Sequence, residues 1–407
     1  MATPEATSRP VTDCEDDALR PPRRPTRAVL FRLLAVAVAV VGTLGTIEAT
    51  FRIHGDQPLG DQYPKFYTTQ MADEVLGWSY KPGARGQFVG PYPLPVTVRS
   101  DFRINSLGLR GPELTAVAPG GLRVLVLGDS VASGLEVADN ETYSTVGAQL
   151  LSTRLGVPVQ VINAGVRGYG TDQEWLLYRE RLKQLHSDVV LDHTTENDPF
   201  DNLALHGMRQ RFGKPAFVLG ADNTLHLVGQ PVPDYPPCSV YVAVAGVARR
   251  VDGAWDRLKC QLETSLLNHS ACFSYVSQRM WMRDPSLVWT LSGPAPAPRG
   301  PGTPVPLEYA LRLTSVLISR MADDVRRDGA RFLLMGKDVD LERLDVAGFE
   351  REGIPLVRIG SAFGPDTLVP HDLMHPNAAG HRRIGELLAD QIEPLLREVL
   401  QERRDSR

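Results

Sequence analysis

Residues 123–130, Arg-Val-Leu-Val-Leu-Gly-Asp-Ser, decide the fold class. The run from Arg123 to Leu127 is short and largely apolar, as is typical of a strand buried in a parallel sheet. Similar runs recur at 159–162, 189–191, 331–335 and 355–359. Helix-like stretches lie between them, at 142–155, 172–185, 307–328 and 379–400. Strands that alternate with helices predict an α/β fold, a doubly wound parallel sheet with three layers of the flavodoxin-like type.

The composition excludes several classes of protein. The chain has 407 residues, of which 43% are hydrophobic and 23% charged, and its net charge is −4. The apolar content excludes a wholly disordered chain. Because there is no basic excess, we expect no nucleic-acid partner. A single segment is apolar enough to span a bilayer, which excludes a polytopic transporter.

That apolar segment runs from about Ala28 to Ile47. It predicts a transmembrane anchor over 28–48, since about 20 helical residues cross the hydrocarbon layer. Arg52 stands alone after it, whereas a basic cluster precedes it: Arg20, Arg23, Arg24 and Arg27. This asymmetry predicts a single-pass cell-membrane protein with a cytoplasmic N-terminus and with everything after Phe51, including the α/β domain, outside the cytoplasm. A cleaved signal peptide and a buried helix of a soluble protein remain alternatives.

The sequence pattern divides the chain into successive parts. They are a cytoplasmic tail 1–27, the anchor 28–48, an extended arm 49–120 with short strands at 96–99 and 102–105, an α/β domain 121–400 and a tail 401–407. An insertion at about 204–306 interrupts the α/β alternation. We expect it to contain amphipathic helices at 240–258 and 263–283 and a Pro-rich linker at 292–306. The insertion could be a lid or a decoration.

Three cysteines follow the anchor: Cys238, Cys260 and Cys272. Outside the cytoplasm they would lie in an oxidising compartment. An odd number allows at most one bridge among them, and the spacing does not select the pair. Three unpaired thiols are the alternative.

Ser130 is the first candidate for chemistry. It follows a predicted buried strand directly and precedes helix-compatible residues, which places it at the carboxyl end of the sheet, where ligands of α/β proteins bind. Its backbone N–H would point into the same site. Asp129 and Ser130 could instead serve only as a helix N-cap pair.

A histidine near the other end of the chain is the candidate base. Asp372 stands three residues before His375, close enough to orient the imidazole across one local turn and to stabilise its charged form. Pro376 stiffens the approach to the last helix. His371, His375 and His381 could alternatively hold a metal, although no accompanying glutamate forms the usual motif. A purely structural loop is a further alternative.

Two more loops are expected at the same end of the sheet. The strand near 159–162 continues into Asn163-Ala164-Gly165, where a glycine allows close approach of backbone to a substrate. The strand near 189–191 continues towards Asn197, whose amide could donate to a developing oxyanion. The glycine could instead serve a turn, and Asn197-Asp198 could cap the next segment.

These four blocks resemble, in type and order, those of the SGNH (GDSL-type) hydrolase superfamily. The resemblance covers about 122–400 and rests on Gly128-Asp129-Ser130, Asn163-Ala164-Gly165, Asn197-Asp198 and Asp372-Leu373-Met374-His375-Pro376-Asn377. It implies Ser130 as nucleophile, His375 as base and Asp372 as its orienter. It also implies an oxyanion hole made by the Ser130 and Gly165 N–H groups and the Asn197 side chain, with no metal and no cofactor.

Thr195 and Glu196 depart from the family pattern, which has glycine one or two residues before the third-block asparagine. Glu196 could oppose the oxyanion or point outward. The segment Arg103–Gly111 also resembles one that precedes the catalytic domain in membrane-attached bacterial relatives.

The resemblance implies ester hydrolysis through an acyl-enzyme, with a glycan, lipid or small-molecule ester as substrate. Two alternatives stay open. One is an O-acyltransferase that delivers the acyl group to an envelope glycan or a secreted metabolite. The other is a non-catalytic envelope binding module. The triad does not distinguish hydrolase from transferase, because only the acceptor differs.

Overall fold

The structure is a computed structural model. It describes residues 27–62, 70–91, 94–205, 212–220, 222–232, 238, 241–244, 247–250, 253–283, 307–372 and 374–405. Three predicted features lie outside the described residues: the tail up to residue 26, the Pro-rich linker at 292–306, and Leu373 of the fourth block. The chain divides into two compact units, Met1–Gly55 and Asp56–Arg407.

The first unit contains helix α1, Arg27–Ile53. It begins one residue before the predicted anchor and continues five residues beyond it. At about 1.5 Å per residue it is roughly 40 Å long. Its most apolar 18-residue window has a mean hydropathy of 2.2. Within the part of the chain that the structure describes, α1 alone is long and apolar enough to cross a bilayer, and an N-terminal signal sequence satisfies the same criteria.

The second unit opens with a short helix and two β-hairpins. Their bounds are α2 Leu59–Gln62, β1 Gln70–Asp73, β2 Gly77–Tyr80, β3 Arg85–Gly90 and β4 Val98–Arg103. The two short strands expected at 96–99 and 102–105 are wrong as separate elements. A single strand, β4, pairs antiparallel with β3 over six residues without interruption. Buried side chains of this arm, among them Trp78, Tyr80 and Phe102, share one core with the main sheet.

The main sheet has five parallel strands and confirms the predicted α/β class. The strands are β5 Leu122–Gly128, β6 Val159–Asn163, β7 Val189–His193, β12 Arg331–Gly336 and β13 Leu356–Arg358. Their spatial order is β13-β12-β7-β5-β6. The chain therefore reverses direction across the sheet at β5, and this switch point opens a crevice beyond the carboxyl ends of β5 and β7.

Helices cover both faces of this sheet. They are α3 Ser130–Ser133, α4 Tyr143–Leu155, α5 Thr171–Leu177, α6 Asp198–Asp201, α9 Leu307–Arg327, α10 Asp338–Leu341, α11 Val346–Arg351 and α12 Ala378–Asp405. A π turn at Tyr178–Leu182 and 3-10 turns at Lys183–Leu185 and Gly360–Ala362 complete the layers. Alternate β5 side chains enter different cores, Val124 with the α12 side and Leu125 with the α9 side.

The insertion differs from its predicted form. It contains hairpins of β8 Ala216–Leu219 with β9 Leu225–Val228 and of β10 Tyr241–Val244 with β11 Val247–Arg250, then helices α7 Ala254–His269 and α8 Ala271–Arg283. The helix expected over 240–258 is wrong before residue 254, because valine and tyrosine favour strands there. The stretch 263–283 is broken at Ser270, whose backbone is extended. A disulfide joins Cys238 to Cys260.

Candidate active site

The turn after β5 places Ser130 at the switch point. Gly128 has a φ of +149°, and a Cβ on it would lie 2.6 Å from the Ala132 side chain, so the turn requires glycine. Asp129 caps α3 by accepting a hydrogen bond from the Val131 N–H at 2.8 Å. Ser130 becomes the first residue of α3, and 9% of its surface is exposed. The N-cap alternative therefore applies to Asp129.

His375 joins Ser130 to Asp372. The His375 Nε2 lies 2.9 Å from the Ser130 Oγ, and the His375 Nδ1 lies 2.8 Å from the Asp372 Oδ2. Because an ionised carboxylate only accepts hydrogen bonds, Nδ1–H is the donor to Asp372 and Nε2 faces the hydroxyl as an acceptor. The second Asp372 oxygen accepts from the N–H groups of Met374 and His375 at 2.9 and 3.0 Å. The local turn thus fixes the carboxylate as well as the ring.

Asn377 locks this loop onto the last helix. Its side-chain oxygen accepts from the N–H groups of Ala379 and Gly380 at 2.9 and 3.1 Å, as an N-cap does. Its amide donates to the carbonyls of Asp366 and Leu368, both at 2.9 Å. Asn377, itself part of the fourth block, therefore positions the segment that carries His375.

The charges around the imidazole favour its protonated form. Burial lowers the pKa of His375, but the carboxylates of Glu136 and Asp372 raise it by more, against a smaller lowering by Arg167. Burial raises the pKa of Asp372, yet His375 and the hydrogen bonds from its own turn hold the net pKa well below the usual range. Asp372 is therefore ionised wherever the protein is folded near neutral pH.

Glu136 is a site residue that sequence analysis missed. Its Oε1 lies 4.0 Å from the His375 Nε2, the nitrogen that faces Ser130, and only 3% of the residue is exposed. It forms an ion pair with Arg167, whose guanidinium lies 5.1 Å above the Phe88 ring. Burial raises the pKa of Glu136, but Arg167 and His375 lower it by more, so the net pKa lies below its ordinary value. Nothing in the sequence pattern marks a glutamate six positions after Ser130, because its place in the site depends on Arg167 from another loop.

Gly165 lies against α3, the helix that begins at Ser130. A Cβ on it would overlap the backbone between Ala132 and Ser133, so glycine lets this loop approach α3 closely. Its N–H donates to the Asn163 Oδ1 at 3.0 Å. In this structure the predicted oxyanion donor is thus used to close its own loop.

Asn197 lies beside Asp129. Its Nδ2 donates to the Asp201 Oδ2 at 2.7 Å and to the Asp129 Oδ2 at 3.2 Å, so both amide hydrogens face carboxylates. The hydroxyl of Thr195 contacts the same Asp129 oxygen at 2.9 Å and the Asn197 Oδ1 at 2.8 Å. Thr195, which departs from the family pattern, therefore connects the third block to the turn that carries Asp129 and Ser130. Its long-range partner could not be identified from the sequence.

Glu196 points towards Lys337, with its Oε2 3.4 Å from the Lys337 Nζ and 46% of its side chain exposed. The positive charge of Lys337 offsets its negative charge. Glu196 makes no contact with Ser130 or His375 among the hydrogen bonds and ion pairs of the described residues.

A layer of buried acids lies beneath the site. Burial raises the pKa of Asp192 to about 6 and that of Asp201 to about 7, and it raises the pKa of Glu174 well above its ordinary value. Glu174 and Asp192 are both fully buried and interact with each other. These groups hold protons in the folded protein at a pH where they would lose them in the unfolded chain.

His381, one of the residues in the metal alternative, is fully buried. It stacks on Tyr143, with 5.8 Å between ring centroids, and burial lowers its pKa to about 3. Among the described residues, no three His, Cys, Asp or Glu side chains come together in an arrangement that could hold a metal ion.

Comparison with known proteins gives structural neighbours only. No protein-family model matches the chain, and no curated protein matches it. Solved structures that resemble it include TesA (14% identity, TM-score 0.36), whose alignment covers 67% of this chain and 99% of that one. A second is the acetylxylan esterase Axe2 from Geobacillus stearothermophilus (12%, TM-score 0.32), with coverage of 67% and 94%. A third is a Desulfitobacterium hafniense protein described as a lipolytic member of the G-D-S-L family (10%, TM-score 0.33), with coverage of 66% and 98%.

The structure of this chain shows the strand order and the placement of the four sequence blocks directly, without reference to the neighbours. All four blocks follow carboxyl ends of parallel strands, or the loop before the last helix, at one end of the sheet. The chain thus has the α/β fold that its resemblance to the SGNH (GDSL-type) hydrolase superfamily implies.

Proposed function

We propose that this chain is a serine ester hydrolase that acts through an acyl-enzyme on Ser130. One observation carries the proposal: the His375 imidazole bridges the Ser130 Oγ at 2.9 Å and the Asp372 Oδ2 at 2.8 Å. A nucleophile, a base within hydrogen-bond reach and an orienting group are the elements that covalent acyl transfer requires. The binding-module alternative gives no reason for this alignment.

In the proposed reaction, the Ser130 Oγ attacks the ester carbonyl carbon while its proton passes to the His375 Nε2. The tetrahedral intermediate then collapses, and the leaving alkoxide takes that proton as the C–O bond of the ester breaks. Water enters next, gives a proton to His375 and attacks the acyl-enzyme. The second tetrahedral intermediate then collapses, which breaks the bond between the Ser130 Oγ and the acyl group, releases the acid and returns the proton from His375 to Ser130. Asp372 keeps the Nδ1–H in place and stabilises the imidazolium in both halves.

The Ser130 N–H, at the first position of α3, is the proposed principal oxyanion donor. Gly165 and Asn197 can donate to the oxyanion only if they give up their present hydrogen bonds. The Gly165 N–H would have to leave the Asn163 side chain, and the Asn197 amide would have to leave one of its two carboxylates. Each such donor lowers the barrier by about 3 kcal/mol when it is in place. We therefore propose that substrate binding rearranges the third block.

The proposed location is outside the cytoplasmic membrane, with α1 as anchor. The arginines before α1 support a cytoplasmic N-terminus. The Cys238–Cys260 disulfide supports the same location independently, since such bridges persist in oxidising compartments. The substrate would then be an ester of an envelope glycan, a lipid or a secreted small molecule.

A short-chain aryl-ester assay on the full chain in detergent tests the activity. Wild type should hydrolyse the ester, Ser130→Ala should fall to background, and Ser361→Ala, an exposed serine on a surface turn, should match wild type. Equal rates for wild type and Ser130→Ala would exclude the proposed nucleophile.

A further inference from the structure

Helix α7 carries an apolar stripe on its exposed side. Its members are spaced three or four residues apart, which places them along one face; they are Trp255 (73% exposed), Leu258 (44%), Leu262 (56%) and Leu266 (45%). On α8, Val276 and Met280 are 45% and 40% exposed, one turn apart. The side of α7 that packs on the protein instead buries Glu263 together with Leu267. A surface with large apolar side chains outside and a carboxylate inside indicates a partner for the outer face.

The α7–α8 pair packs directly on the residues that follow the anchor helix. Leu59 shares a small core with Leu267, and the Leu59 N–H donates to the Ser274 Oγ at 3.0 Å. Gly60 lies so close to Asn268 that a Cβ would approach its carbonyl oxygen to 2.8 Å. The start of the second unit is therefore fastened to this pair of helices.

Chain length then limits how far the stripe can be from a bilayer. Helix α1 ends at Ile53 and the fastened residue is Leu59. Six residue steps span at most about 20 Å when fully extended. If α1 spans the membrane, its end lies at the membrane surface whichever way it is inserted, and the chain allows Leu59, on which α7 packs, to be at most about 20 Å from that end.

The charges of the two helices fit a bilayer surface that contains anionic lipid. Basic residues outnumber acidic ones between Ala254 and Arg283, and one of the two acids, Glu263, is buried. The basic residues are Arg257, Lys259, Arg279 and Arg283. A tryptophan at the end of an apolar stripe that is flanked by cations is typical of helices that lie in the membrane interface.

We propose that the α7–α8 surface is a second membrane contact, in which Trp255, Leu262 and their neighbours insert into the headgroup region of the bilayer that α1 crosses. This inference rests on the proposed anchor and goes beyond the proposed ester hydrolysis. The arm, on which α7 and α8 pack through Leu59, also touches the loop that carries Asp372 and His375, since the Thr97 Oγ1 donates to the Pro370 carbonyl at 3.3 Å. Docking would therefore hold the catalytic loop close to the membrane surface and favour esters presented there.

The test uses the full chain reconstituted into phosphatidylcholine–phosphatidylglycerol vesicles, with and without bromine on the acyl chains. Bromine quenches tryptophan that enters the bilayer, and subtracting the emission of Trp255→Phe isolates Trp255. We expect brominated lipid to lower this difference emission by about twofold or more, as for a side chain at the acyl boundary. Leu262→Asp combined with Leu266→Asp should abolish the quenching and lower the Tm in detergent by no more than about twice the loss caused by Gln261→Asp, which reports the helix propensity of aspartate alone. Gln261→Asp, exposed but outside the stripe, should keep it.

Each contrary outcome has a distinct meaning. Unchanged Trp255 emission in protein that floats with the vesicles would overturn the docking proposal alone. A Tm of the double variant in detergent that falls by clearly more than twice the loss caused by Gln261→Asp would show that protein, either a second copy or another segment of this chain, covers the stripe, and this also overturns it. Failure to float would overturn the anchor and the docking together, while leaving the ester-hydrolase proposal intact.

Discussion

Glu136 and Asp372 flank the His375 imidazole at its two nitrogens. The Asp372 Oδ2 lies 2.8 Å from Nδ1, and the Glu136 Oε1 lies 4.0 Å from Nε2. Arg167 neutralises part of the Glu136 charge by an ion pair. The imidazole therefore sits between one buried carboxylate, one partly buried carboxylate and one partly buried cation, and burial together with these three charges sets its pKa.

Glu136→Gln should move the acid limb of the kcat/KM profile to lower pH. The base works only when neutral, so activity rises as pH passes the pKa of His375. Glu136 raises that pKa and Arg167 lowers it, so removing the glutamate charge lowers it. Arg167→Met should shift the limb the opposite way. Glu350→Gln, on an exposed face of α11, should leave the limb unchanged. Shifts of the same sign in the two site variants would contradict this electrostatic account.

Asp372→Asn should reduce kcat by about 10³- to 10⁴-fold, because the amide no longer stabilises the imidazolium or selects the Nδ1–H tautomer. The pKa of Asp372 is depressed in the folded protein. Its contribution to the free energy of unfolding is therefore present above the ordinary aspartate pKa and is lost as the pH falls through the lower folded value. Urea titrations at neutral and acid pH should show the wild-type advantage over Asp372→Asn shrinking on acidification. An advantage that is independent of pH would contradict the pKa direction.

Arg110→Lys should lower both the Tm and kcat. The Arg110 guanidinium donates to the carbonyls of Ser133, the last residue of α3, and Val137 at 2.9 and 2.7 Å. Lysine cannot span both acceptors, and each buried carbonyl left without a donor costs about 1–3 kcal/mol. Arg103→Lys is the matched control, since Arg103 pairs with Asp139 as Arg110 does but is 45% exposed. Equal effects of the two variants would count against a clamp at Arg110.

Asp201→Asn should stabilise the protein in mildly alkaline solution. Burial raises the pKa of Asp201 to about 7, against 3.8 ordinarily. Between these values the folded state holds a proton that the unfolded state has lost, so the stability from this group falls as the pH rises. The Tm of the variant should exceed that of wild type by more at about pH 8 than at about pH 5. Asp366→Asn, exposed on the loop before the fourth block, should show no such trend.

Local relationships in the site could be predicted from the sequence. Asp372 and His375 are three residues apart, so one turn suffices to join them, and Ser130 follows a strand whose apolar run is unambiguous. The meeting of these two segments followed from the parallel sheet, whose strands present their carboxyl ends together. Glu136 could not be found this way, because its importance arises from Arg167 and His375, which are distant in sequence.

Long-range polar contacts and the secondary structure of the insertion could not be predicted from the sequence. The hydrogen bond from the Asn197 amide to Asp129 forms only because the loops after β5 and β7 approach each other. Residues 240–258 combine alanines, which are compatible with a helix, with valines, which favour strands. In the structure, β10 and β11 in this stretch form strands because they pair with each other. The bridge from Cys238 to Cys260 likewise required the fold, since the spacing allowed any pair.

The most direct test of the central claim is covalent capture of Ser130 by an alkyl fluorophosphonate. In this reaction the Ser130 Oγ forms a P–O bond as fluoride leaves, and the adduct is located by mass spectrometry of the full chain and of its peptides. We predict one phosphonyl group on Ser130 in wild type, none on Ser130→Ala, and much slower labelling of Asp372→Asn. A folded wild-type chain that labels no faster than Ser130→Ala, or that labels on another serine, would contradict the proposed nucleophile.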